Sequence, residues 1–73
     1  MKYNIIIQEV GGWNMKIKEY RILKGYTQSE IANILNIKQS SYSNKELGRR
    51  DFTIEEIKLL KELFEVTYED LLN

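Results

Sequence analysis

The sequence predicts an all-α domain of five short helices behind a short N-terminal β-strand leader. Two observations carry this reading. Apolar residues recur at helical spacing in short windows along residues 15–72. Threonines stand three residues ahead of acidic ones, in T-Q-S-E at 27–30 and T-I-E-E at 53–56, the pattern of a helix capping box. The 73 residues make one domain, near the lower limit for a chain that folds without staples.

The leader, residues 1–14, differs from the rest. Its "YNIIIQEV" is rich in β-branched residues and is followed by Gly11 and Gly12, so it reads as a strand. A lone strand beside helices has an unpaired edge, which the same strand of a second copy would satisfy. The other reading takes Met15 as the natural start and the leader as foreign to the native protein.

The first helix spans residues 15–24, with Ile17, Tyr20 and Leu23 or Lys24 at helical spacing and Gly25 where a C-terminal cap belongs. Thr27 opens the second, paired with Glu30, and Ile31, Ala32, Ile34 and Leu35 form its inward face. Asn36 ends it, because Asn tolerates the left-handed conformation of a tight turn. The third runs over residues 38–46. Only Tyr42 is apolar there, with Ile37 just before it, so one position anchors the helix and the rest faces out. Residues 47–51 form a basic loop. Thr53 and Glu56 cap a fourth helix over residues 54–64, with Ile57, Leu60, Leu63 and Phe64 inward. Glu55 and Glu56 suit its first turn, where the helix dipole favours acids. Thr67 caps a last helix carrying Tyr68, Leu71 and Leu72.

Composition removes whole classes of chemistry. There is no Cys and no His, so zinc sites of those ligands, Cys nucleophiles and His bases are excluded, and the chain suits a reducing cytosol. No apolar run approaches the roughly 18 residues of a membrane span, and the apolar trio Ile5, Ile6 and Ile7 is too short for a signal-peptide core. Charge is uneven beneath the net zero: residues 15–50 carry eight basic and three acidic side chains, a net of +5, and residues 51–73 carry −5. A polyanion is the natural partner of the first part.

The third helix holds the most informative feature. Gln39, Ser40, Ser41, Ser43 and Asn44 are mediocre to poor helix formers, because several of their side chains compete for backbone hydrogen bonds. A capped helix, a tight turn and a second helix with a polar outer face describe a helix-turn-helix. The stretch "KGYTQSEIANILNIKQSSYSNKELGRR" resembles the Cro/repressor family, also called the xenobiotic-response-element type. The likeness lies in G-x-T-Q-x-E-I-A at 25–32, I-x-Q-S-S-Y-S at 37–43 and K-E-x-G-x-R at 45–50. "FTIEEI" and "LFEVTYEDLL" resemble that family's last two helices. The resemblance covers residues 15–72 and leaves the leader outside it.

Roles follow from the resemblance by position. Gln28 matches a glutamine that binds phosphate and braces the recognition helix. Gln39, Ser40, Ser43 and Asn44 match positions that meet base edges, and Lys38 stands at the recognition helix's entrance, near phosphate. Arg49 and Arg50 fall in the loop that approaches the DNA backbone. Arg21 and Glu46 match a structural charge pair tying the first helix to the end of the third. Three departures stand out: Asn36 replaces a turn glycine, Lys45 occupies a place often apolar, so that the end of the third helix is looser or more DNA-directed, and Lys61 replaces a small apolar residue, which implies a more solvated face.

The expected function is a sequence-specific DNA-binding regulator, a phage or bacterial repressor acting as a homodimer on a near-palindromic operator in double-stranded DNA, in the cytoplasm at the nucleoid. Ile-, Lys- and Asn-rich usage with a single Ala and no Pro fits AT-rich coding. Leu59, Leu63, Tyr68 and Leu72 offer apolar surface for a dimer. No catalytic residue, metal, cofactor, small-molecule ligand or membrane contact is expected. The alternative is a protein-interaction module, antitoxin-like or a co-regulator, with little DNA affinity of its own.

Overall fold

The computed structural model of the chain describes residues 11–72, and their side chains from 16 to 71. Five helices follow one another: α1 (Gly11–Leu23), α2 (Gln28–Leu35), α3 (Gln39–Glu46), α4 (Ile54–Phe64) and α5 (Tyr68–Leu72). There is no strand among the described residues. The strand expected in the leader falls on residues 1–10, which lie outside them. The rest of the leader, residues 11–14, belongs to α1. Propensity argues against a glycine pair in a helix. Here the pair holds the first two helical positions, where backbone N–H groups lack intrahelical partners in any case.

Side chains set the starts of α2, α4 and α5. At α2, Thr27 Oγ1 accepts from the Glu30 N–H at 3.1 Å, and Glu30 Oε1 accepts from the Thr27 N–H at 2.9 Å. Thr53 and Glu56 repeat the exchange at α4, and Thr67 with Asp70 at α5. Each cap of this kind contributes about 1 kcal/mol.

Left-handed residues set the stops. After α1 the Tyr26 N–H bonds the Arg21 carbonyl and the Gly25 N–H bonds that of Ile22, with Gly25 at φ +84. This is the Schellman arrangement, which satisfies carbonyls the helix leaves open. It recurs around Asn36 (φ 61), Gly48 (φ 86) and Glu65 (φ 59). Glycine takes that conformation without cost and Asn with little. Glu65 has neither advantage.

The buried core is Ile17, Ile31, Ala32, Leu35, Tyr42, Ile57, Leu60, Phe64 and Leu71. Every described helix contributes at least one of them. Helix α1 packs on α3, α4 and α5, and α2 packs on α3. Aromatic rings fill the centre: Tyr20 stacks on Phe64 with centroids 6.2 Å apart, and Phe52 tilts against Tyr42 at 6.0 Å. One inward assignment fails. Ile34, expected on the buried face of α2, is 44% exposed. At about 100° per residue it sits well away from Ile31 and Leu35, whose line defines the inward stripe.

Candidate nucleic-acid interface

Helices α2 and α3 form a helix-turn-helix whose turn is Asn36, at φ 61 and ψ 44. The Ile37 N–H reaches back to the Ala32 carbonyl at 2.9 Å, and Ile37 packs half-buried against the core. The next residue, Lys38, is extended and begins α3 with no side-chain hydrogen bond to its N–H groups. Thr27 and Thr53 provide such a bond to α2 and α4. The first turn of α3 holds no acid either. Its dipole and open N–H groups therefore present positive potential outward.

Helix α3 is divided by face. Tyr42, Lys45 and Glu46 are buried. Lys38, Gln39 and Ser40 are exposed, and Ser41, Ser43 and Asn44 are half-buried. Such a sequence has little intrinsic drive to be helical, so tertiary ties must hold it. They converge on its last turn.

Glu46 is 5% exposed and accepts hydrogen bonds from three other side chains. Arg21 of α1 grips it through Nε at 2.7 Å and Nη2 at 3.2 Å. Gln28 of α2 donates Nε2 at 2.9 Å, and the Tyr42 hydroxyl, one turn earlier, donates at 2.6 Å. Arg21 also donates Nη1 to the Tyr26 carbonyl at 2.9 Å, tying in the α1–α2 connection. Burial pushes the Glu46 carboxyl upward; the bonds from Arg21, Tyr42 and Gln28 outweigh this and hold it below the usual carboxylate range. Tyr42 is raised, first by burial and then by its bond to Glu46. The bond to Glu46 raises Arg21.

Lys45 corrects the sequence reading. Neither loose nor directed to DNA, it is 9% exposed and donates Nζ to both Glu56 oxygens, at 2.7 and 2.8 Å. The Phe52 ring lies 6.0 Å from Nζ. An apolar place is filled by the stem of Lys45 while its head finds a buried counter-ion. Glu56 does two jobs, since the same carboxylate closes the α4 capping box. Burial raises its pKa; Lys45 and the Thr53 N–H more than offset this and lower it. Lys61 also departs from the expected solvated face: it is half-buried, with Nζ 5.1 Å from the Tyr68 ring centre.

The geometry therefore brings Arg21, Gln28 and Glu46 together beneath the outer face and leaves Lys38, Gln39, Ser40, Arg49 and Arg50 on the surface. Gln28 is half-buried and spends one amide N–H on Glu46. Sequence reasoning missed the Tyr42–Glu46 bond, although their spacing of four is a helical contact distance. It also missed Lys45–Glu56, for which no local signal existed. No cluster of His, Cys, Asp and Glu suited to a metal occurs among the described residues, and no described helix is long and apolar enough to cross a membrane.

A family model described as helix-turn-helix matches residues 17–71. No curated protein and no solved structure matches the chain with significance. The matched segment runs from the buried Ile17 of α1 to the buried Leu71 of α5 and takes in the whole turn and the Arg21–Glu46 and Lys45–Glu56 ion pairs. The chain belongs to the helix-turn-helix family of the Cro/repressor type, a family of DNA-binding regulators.

Proposed function

We propose that the chain is a transcriptional repressor of phage or bacterial origin that binds a near-palindromic operator as a homodimer. The observation that carries this is the contrast across α3. Its inner side is tied by Glu46 and Lys45 to three other helices, while its outer side holds Gln39, Ser40, Ser43 and Asn44. A rigidly mounted helix with short polar groups outward suits the major groove, where each base pair has its own donor and acceptor pattern. Gln39 and Asn44 can each pair bidentately with adenine. Lys38, Arg49 and Arg50 neutralise phosphates and set register rather than sequence. Gln28 braces Glu46 with one amide N–H and has a second for a phosphate.

One copy makes few base contacts, and a wrong base pair costs about 1–3 kcal/mol. Two copies on half-sites roughly 34 Å apart supply useful selectivity. Leu59 and Tyr68, 44% and 46% exposed, offer apolar surface for self-association. Repression follows from occupying a promoter in the bacterial nucleoid.

Selection of bound duplexes from a random pool at near-physiological salt tests the reading. An enriched near-palindrome supports it. A folded protein that enriches nothing transfers the case to a protein-interaction module.

A further inference from the structure

We propose that Leu47 is a specificity-determining residue of this interface, reading the C5-methyl group of a thymine. The inference rests on the DNA-binding role of α3 proposed above. Leu47 lies just past the end of α3, yet it continues the helix: its φ is −79 and ψ −6, and its N–H bonds the Ser43 carbonyl at 2.9 Å. At about 100° per residue, Gln39, Ser43, Leu47, Ser40 and Asn44 fall in that angular order within an arc of roughly 140°. Leu47 is thus at the angular middle of the outward face, at its C-terminal end. The buried Tyr42, Lys45 and Glu46 fill the remaining arc, with Lys45 roughly opposite Leu47 and Glu46 bordering Gln39.

The side chain is 59% exposed and is not among the residues packed on the core. A single exposed leucine is ordinary on a protein surface. This one is placed among groups of stated chemistry. Four polar side chains share its face, and Arg49 and Arg50 follow directly, exposed, after the left-handed Gly48. An apolar partner protein would meet positive charge there. A polyanion whose groove carries isolated methyl groups fits both features, and thymine is the base that presents one in the major groove. Leu47 is the one fully apolar side chain on this face; its polar neighbours could meet a methyl group only through short CH2 stems.

The test uses the full chain and the duplex enriched by selection from a random pool. Each thymine is replaced in turn by deoxyuracil, which removes only the methyl group. One thymine per half-site is expected to cost about fourfold in affinity, the worth of one buried methyl. Leu47→Ala should bind the parent duplex more weakly and be indifferent to that same replacement, with an unchanged melting temperature. Equal uracil penalties in wild type and variant, or no penalty at any thymine, overturn the role of Leu47 and leave DNA readout by α3 standing. Loss of self-association in Leu47→Ala, with uracil penalties intact, reassigns the side chain to a protein contact. A pool that enriches no sequence overturns the DNA reading and Leu47 with it.

Discussion

Lys45 and Glu46 are sequence neighbours of opposite charge, and each is buried against a different helix. Glu46 is held by Arg21 of α1 and Lys45 by Glu56 of α4. The last turn of α3 is therefore clamped from both sides by ion pairs with N–O distances of 2.7 Å. A helix with poor propensity and one large apolar anchor gains its orientation there.

Glu46→Ala should be among the most destabilising single changes available. It strands a buried guanidinium, an amide and a phenol together. Breaking a buried pair in this way costs about 3–5 kcal/mol, a large part of what a small domain has. Arg21 keeps its bond to the Tyr26 carbonyl, which favours the lower end of that range. Urea unfolding measures it, and an unchanged midpoint would remove the hub from the account.

Stability should fall in acid. Glu46 and Glu56 both have pKa values below their ordinary 4.5. A carboxylate depressed in the folded state binds its proton more readily when unfolded, so its contribution is full above that ordinary value and is lost as pH falls through the folded one. The melting temperature should be flat near neutrality and drop below pH 4.5. Glu46→Gln should flatten part of that drop; an identical acid limb in the variant would contradict the assignment.

The pairing of Lys45 separates structure from DNA contact. Lys45→Ala should cost about 3 kcal/mol by leaving Glu56 without its counter-ion, whereas Lys45→Met with Glu56→Gln should recover most of it. The salt dependence of DNA binding should be unchanged by that double variant. Arg49→Ala or Arg50→Ala should lower the slope by about one phosphate. A lowered slope for the Lys45 variant would return that residue to the interface.

Backbone conformation yields a stabilising change. Glu65 holds φ 59 without glycine's freedom, so Glu65→Gly should stabilise by about 0.5 kcal/mol, the relief of left-handed strain less the added freedom of the unfolded chain. Gly25→Ala should go the other way by about 1 kcal/mol. A Cβ at Gly25 would meet nothing within 4 Å, so that cost is conformational and not steric. Thermal unfolding of both variants checks the signs.

What the sequence made legible was local. The Thr27–Glu30 and Thr53–Glu56 caps, Gly25 and Asn36 act within three or four residues, and each lies where its chemistry put it. Arg21–Glu46, 25 positions apart, was accessible only through the family resemblance. Lys45–Glu56 departs from the family pattern and spans a loop, so neither route reached it. Glu65 carries no residue-type signal for a left-handed stop. The outer side of α3 was readable by elimination, since Tyr42 alone could anchor it, but that logic hid the polar anchors Lys45 and Glu46.

Base reading by the outer face of α3 underlies the proposed function. Repeating the random-pool selection with Gln39→Ala and with Asn44→Ala checks it residue by residue. Each variant should still enrich a two-fold site and lose preference at its own base pair, in both half-sites. An unchanged preference, or a uniform loss of affinity for all DNA, would contradict it.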